Sequence, residues 1–139
     1  MSGAGTEPPQ DAATAADERP GDAADERLDA AAFTLAALQA AHATGGRLYH
    51  EFLRVPALSA GIYVLPAGAD DPQQPHREDE IYYVIAGRGR FTMGAGPDAD
   101  DIVVGPGDVL YVAKEVEHRF HAIVDALTVL VLFAPAQQR

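Results

Sequence analysis

From residue 47 to residue 133 the chain is a series of short apolar, β-branched and aromatic runs, cut apart by Gly, Pro and Asp clusters at hairpin spacing. This punctuation limits the fold more than any other feature, because runs of four to eight residues with a period near two suit strands and are too short for helices. Runs at 47–55 and 58–65 are parted by Pro56, and Pro66-Ala67-Gly68 closes the second. An acidic, Pro-containing loop at 69–74 leads to runs at 81–86 and 88–93, broken at Gly87. Shorter runs follow at 102–104, 109–113, 118–123 and 127–133. Eight or nine short strands so spaced predict an all-β fold, a small antiparallel sandwich or barrel.

Ahead of the strands, residues 28–43 are alanine-rich with Phe33, Leu35 and Leu38 at helical spacings, and Gly45-Gly46 stops them. They predict one N-terminal helix in segment 28–46, with Thr34 capping its second half and His42 at its C-terminal end, where a partly charged imidazole is favoured. Residues 1–27 contain no aromatic and no β-branched apolar side chain, so they cannot bury enough surface to offset their ordering entropy. A disordered acidic tail is expected there, with an acidic docking arm as the alternative. The folded unit is then residues 47–139, one domain.

Charge excludes some partners. Ten Lys and Arg stand against 21 Asp and Glu, a net −11, of which the tail's seven acids and two bases supply −5. Such a chain is repelled by nucleic acid and by anionic membranes, so neither is an expected partner. With no cysteine there is no disulfide and no thiolate chemistry. The N-terminus lacks a basic-then-apolar leader, and no apolar run approaches the roughly 20 residues of a membrane span, so a cytoplasmic protein is expected.

The stretch from Gln74 to Gly87 is where chemistry concentrates. His76 and Glu80 lie four apart, and an extended backbone there presents Gln74, His76, Glu78, Glu80 and Tyr82 on one side. An imidazole and a carboxylate at the mouth of an apolar strand are costly to bury unless a metal, water or each other satisfies them. Glu78 and Asp79 are expected to be solvated carboxylates flanking the site. His50 is expected on an exposed or subunit-facing surface.

Two segments together resemble the paired motifs of the cupin superfamily. The first is His76 through Glu80 to Gly87, with six residues between the glutamate and the glycine. The second runs from Gly105-Pro106-Gly107-Asp108 to His118-Arg119-Phe120. The resemblance covers about residues 47–133 and implies a jelly-roll β-barrel. It also implies that His76, Glu80 and His118 are metal ligands. The chain departs from the family's pattern at Gln74, where a first histidine would stand, at Ala113 and Glu115, where proline and glycine are common, and at Ala122, where asparagine is common.

Two imidazoles and a carboxylate suit a divalent ion, Fe(II), Mn(II), Ni(II), Co(II) or Zn(II), with open positions for water, O₂ or substrate. Gln74 could add its carbonyl oxygen as a fourth ligand or orient a bound water. The alternative is that His76 and Glu80 simply pair while His118 is a satisfied interior histidine. Tyr82 shares the parity of Glu80 and is the candidate catalytic donor. Phe120 would line the pocket, and His121 has the opposite parity to His118 and should face away. The glycines at 87, 89, 105 and 107 join strands and open no helix, so they form no phosphate loop, and no nucleophilic elbow occurs.

Three functions fit a small-molecule ligand: a mononuclear metal-dependent dioxygenase, a non-catalytic binding or sensor module, and a metal-assisted isomerase or lyase using Tyr82 or Glu115 as base. The run at 127–133 is apolar on both faces and needs cover on both, the core on one side and a second sheet or a partner subunit on the other. The resemblance, to a family whose members are frequently dimers through their N-terminal strands, implies a homodimer.

Overall fold

The computed structural model describes residues 28–138. One helix, α1 (Leu35–Gly45), precedes six strands: β1 (Tyr49–Val55), β2 (Leu58–Leu65), β3 (Asp79–Met93), β4 (Asp100–Val104), β5 (Val109–Val112) and β6 (His118–Ala134). All pairings are antiparallel, as expected of a jelly roll. The hydrogen-bonded order is β1-β2-β6-β3-β4, with β5 beside β3, and the ladder does not close into a ring.

Two long strands organise the sheet. β3 and β6 lie alongside each other from Asp79 opposite Ala134 to Met93 opposite His118. β2 flanks the end of β6 and β5 the start of β3, whereas β4 flanks the end of β3. The two halves of the long ladder turn their inner faces together, so that Tyr82 on the first half packs against Phe91 and Phe120 on the second, at ring distances of 5.6 and 5.2 Å. Leu65, Val84, Leu127 and Val129 complete a fully buried core. Each such side chain taken from water contributes roughly 1.5–3 kcal/mol.

Six strands replace the eight or nine expected because the turn-like residues in β3 and β6 do not end them. Around Gly87 the register of β3 slips against β6, and the inward parity changes from Glu80, Tyr82 and Val84 to Gly89 and Phe91. Gly87 has φ +98°, and a Cβ there would run into the Ala126 carbonyl. β6 makes the matching change near Ala122, a non-glycine residue at φ +47°. Bulges thus bend the strands where a break is expected and keep both inner faces apolar.

The helix is also shorter than expected. Thr34 is its N-cap, extended at φ −98°, ψ 145°, and its hydroxyl accepts from the Ala37 N–H at 3.1 Å. Residues 28–34 therefore lie outside it, and Phe33 instead packs edge-on against Phe52. Phe33 and Leu38 cover Ile62, Leu130 and Leu132 on the outer face of the sheet. The apolar outer side of β6 thus receives part of its cover from its own chain. Among the described residues no helix is long and apolar enough to cross a membrane. The acidic tail at 1–27 lies outside the described residues.

Candidate metal centre

Glu80 and Tyr82 project inward from the first half of β3, and His118 projects inward as the first residue of β6. His76 comes from the loop before β3, where its carbonyl accepts from the Glu115 N–H at 2.7 Å and its ring stands edge-on to Phe133. The three expected ligands meet: one donor atom from each lies within 4.8 Å of the others. Glu80 Oε1 is 3.0 Å from His118 Nε2 and 3.9 Å from His76 Nε2.

The donors suit a divalent ion. Glu80 is 1% exposed, yet neither of its oxygens accepts a geometrically sound hydrogen bond, a costly state for a buried carboxylate. His118 Nδ1 sits 2.8 Å from the Val116 carbonyl, which can only accept, so this nitrogen carries a proton and Nε2 is turned to the site. Donors that share an ion at about 2.1 Å and a right angle stand about 3 Å apart, close to the Glu80–His118 separation. Without an ion, burial lowers the basicity of His118, but Glu80, the Val116 carbonyl and Asp71 more than offset this and raise its pKa.

Tyr82 is fully buried, and its hydroxyl lies 3.1 Å from His118 Nε2. Burial first, and then the charge of Glu80, push the phenol well above its ordinary pKa, so it stays protonated.

Gln74 is not brought in; it is exposed. Its neighbour Gln73 occupies the site, accepting from the Tyr82 hydroxyl at 2.7 Å and from His76 Nε2 at 3.2 Å. The physical reason is that β3 begins only at Asp79, so strand parity holds for Glu80 and Tyr82 and fails in the loop before them. For the same reason Glu78 is not a solvated flank: it is 3% exposed and accepts from the Gln138 N–H at 2.9 Å. Asp79 is exposed and accepts from the Lys114 N–H.

Sequence reasoning also missed Asp71, buried in the acidic loop. It accepts from the Tyr63 hydroxyl at 2.5 Å, the Phe120 N–H at 2.9 Å, the Gln73 N–H at 3.2 Å and the Gln73 amide at 2.8 Å. Gln137 was missed as well; its side-chain amide reaches His76 Nδ1 at 3.5 Å. Neither residue carries a periodic or motif signal. Phe120 is fully buried and packs edge-on against Tyr82. His121 faces away, as its parity requires, bonding Asp101 at 2.6 Å and Thr92 at 3.0 Å. His42 bonds the Leu48 carbonyl, and His50 is half-buried on β1.

Two cavities meet at Gln73. One of about 140 Å³ is walled by Tyr49, Tyr63, His76, Val131, Phe133 and Gln137. The other, about 300 Å³, opens on the His118 side past Gln74, Thr92 and Arg119.

The cupin domain family (Cupin_2) matches residues 61–134. An uncharacterised protein of Streptomyces coelicolor, SCO3923, is 42% identical over 106 residues, spanning 76% of this chain and 97% of that protein. The structure of BH2720 from Bacillus halodurans superposes with a TM-score of 0.62 at 18% identity, over 77% of this chain and 83% of that one. A variant of Bacillus subtilis oxalate decarboxylase superposes with a TM-score of 0.53 at 26% identity, over 58% of this chain and 22% of the longer enzyme. With matched motifs, matched sequence and matched fold, the chain belongs to the cupin family.

Proposed function

We propose that this protein is a mononuclear metal-binding cupin, with His76, Glu80 and His118 as ligands, that oxygenates a small, uncharged, oxygen-bearing molecule. One observation supports this above the others: the buried Glu80 carboxylate, which makes no hydrogen bond of sound geometry, faces two imidazoles. A divalent ion held there supplies Lewis acidity and, when redox-active, electron transfer to O₂.

The chain's own residues do the rest. Tyr49, Val131 and Phe133 wall the cavity beside His76 and exclude water from it. Tyr82, kept protonated, donates a hydrogen bond to an oxygen of the ligand when that oxygen displaces Gln73. This argues against proton abstraction by Tyr82, and Glu115, the other candidate base, is exposed on a turn at φ +65°. An isomerase or lyase reading is therefore less well supported. The Bacillus subtilis neighbour is named for a small carboxylate. Among the described residues no lysine or arginine lines the cavity beside His76, which favours an uncharged ligand there. A non-catalytic sensor would use the same cavity without turnover.

The test is elemental analysis of protein purified without an affinity tag or added metal. About one transition-metal ion per chain is expected, lost in His118→Ala and in Glu80→Ala; a full complement in either variant overturns the ligand assignment. Oxygen uptake by the Fe(II)-loaded protein, with panels of uncharged hydroxy- and keto-compounds and of carboxylates, separates oxygenase from sensor. We also infer a homodimer, joined through the outer face of β3 and β5.

A further inference from the structure

The ligand set has a gap where the family's first histidine would stand, and the residue in register with that gap, Gln74, is exposed. Polar atoms of Gln73 and Tyr82 nevertheless close a ring with those of the three ligands. Going round it, Gln73 Oε1 is 3.2 Å from His76 Nε2, which is 3.9 Å from Glu80 Oε1, which is 3.0 Å from His118 Nε2. His118 Nε2 is 3.1 Å from the Tyr82 hydroxyl, and that hydroxyl is 2.7 Å from Gln73 Oε1. Two nitrogens and three oxygens from five residues thus close one ring.

Gln73 enters this ring by its oxygen for a definite reason. Asp71 Oδ2 can only accept, so the amide nitrogen 2.8 Å away must face it, and the amide oxygen is turned to the ring. Asp71 is itself fixed by the Tyr63 hydroxyl and the Phe120 N–H, so the amide is oriented from the core of the sheet and not from solvent. An amide oxygen so held is a neutral, hard donor, of the kind that favours Mn(II), Fe(II) or other oxygen-seeking ions over softer ones.

Resting on the reading of His76, Glu80 and His118 as ligands, we infer that Gln73, aimed by Asp71, supplies the fourth protein donor to the metal through Oε1, and that Gln74 supplies none. The arrangement gives this cupin two imidazole nitrogens, one carboxylate oxygen and one amide oxygen. A ligand can displace the amide, because a neutral oxygen is the weakest of the four.

The test is calorimetric titration of Co(II) into the apo forms of the wild type, Gln73→Leu, Gln74→Leu and His118→Ala, with circular dichroism confirming the fold of each. Gln73→Leu is expected to bind about tenfold or more weakly, and Gln74→Leu within twofold of wild type. Wild-type protein that takes up no ion, or undiminished binding by His118→Ala, overturns the metal site itself. Binding lost in His118→Ala but unchanged in Gln73→Leu overturns the Gln73 assignment alone. Should Gln73→Leu not fold, nuclear magnetic resonance of the wild type decides. One equivalent of Zn(II) is expected to shift the Gln73 side-chain amide resonances and leave those of Gln74 in place. Unmoved Gln73 resonances, while the resonances around His118 shift, overturn the assignment.

Discussion

Ala122 sits at φ +47°, in the left-handed region, on an exposed stretch of β6 where the inward parity of the strand changes. A Cβ in that conformation crowds the following carbonyl and costs about 1–2 kcal/mol, a penalty that glycine avoids and asparagine reduces. Ala122→Gly or Ala122→Asn should therefore raise stability by about 0.5–1 kcal/mol, read as a higher urea midpoint at unchanged slope. A lower midpoint for both would show that Ala122 is not strained. The departure from the family's common asparagine was legible in the sequence; the strain behind it was not, because it depends on where two strands slip. That His76, Glu80 and His118 lie together was legible from the resemblance of two segments to the family's motifs. Gln73 and Asp71 were not: neither lies in a strand, so no parity assigned them a side, and only the folded loop shows that Asp71 meets four donors and turns the Gln73 amide inward.

Elements were legible in kind and misjudged in extent. Apolar period-two runs identified every strand, but Gly87 and the Val124-Asp125-Ala126 stretch read as breaks when they are bends in β3 and β6. Beyond the bend, three strands are clipped together on the outer surface. Asp101 on β4 takes hydrogen bonds from Arg90 on β3 at 2.7 Å, from Thr92 at 2.9 Å and from His121 on β6 at 2.6 Å. His121 foremost, then Arg90, hold the Asp101 carboxyl well below its ordinary 3.8. A depressed carboxyl stabilises the fold in full above its unfolded value and loses that contribution as pH falls toward the folded one. The stability gap between wild type and Asp101→Asn should thus be widest above pH 3.8 and narrow as acid is added below it. Denaturant melts across that range check it, and a gap that widens in acid would contradict the clip. The effect is modest, since Asp101 is exposed and its pairs are screened by solvent.

At the scale of the whole molecule, the outer face of the sheet is covered unevenly. Phe33 and Leu38 shield the part formed by β2 and β6, and nothing among the described residues shields the part formed by β3 and β5. There Ile81 stands opposite Tyr111 and Tyr83 opposite Val109, and these four are 42%, 58%, 43% and 64% exposed. Scattered apolar residues on a surface need no explanation, but four on adjacent strands form one patch. Beside it, β5 pairs only with β3, leaving its other edge open among the described strands. An apolar patch next to an open edge suits a two-fold contact with a second copy, in which the same residues meet themselves and no charges need be buried. Tyr111→Lys places two cations at the centre of such a contact. Light scattering behind size exclusion should show a dimer for the wild type at micromolar concentration and a monomer for Tyr111→Lys, with metal content unchanged because Tyr111 faces away from Glu80 and His118. A wild-type monomer would remove the partner, and the patch would then be left to another protein.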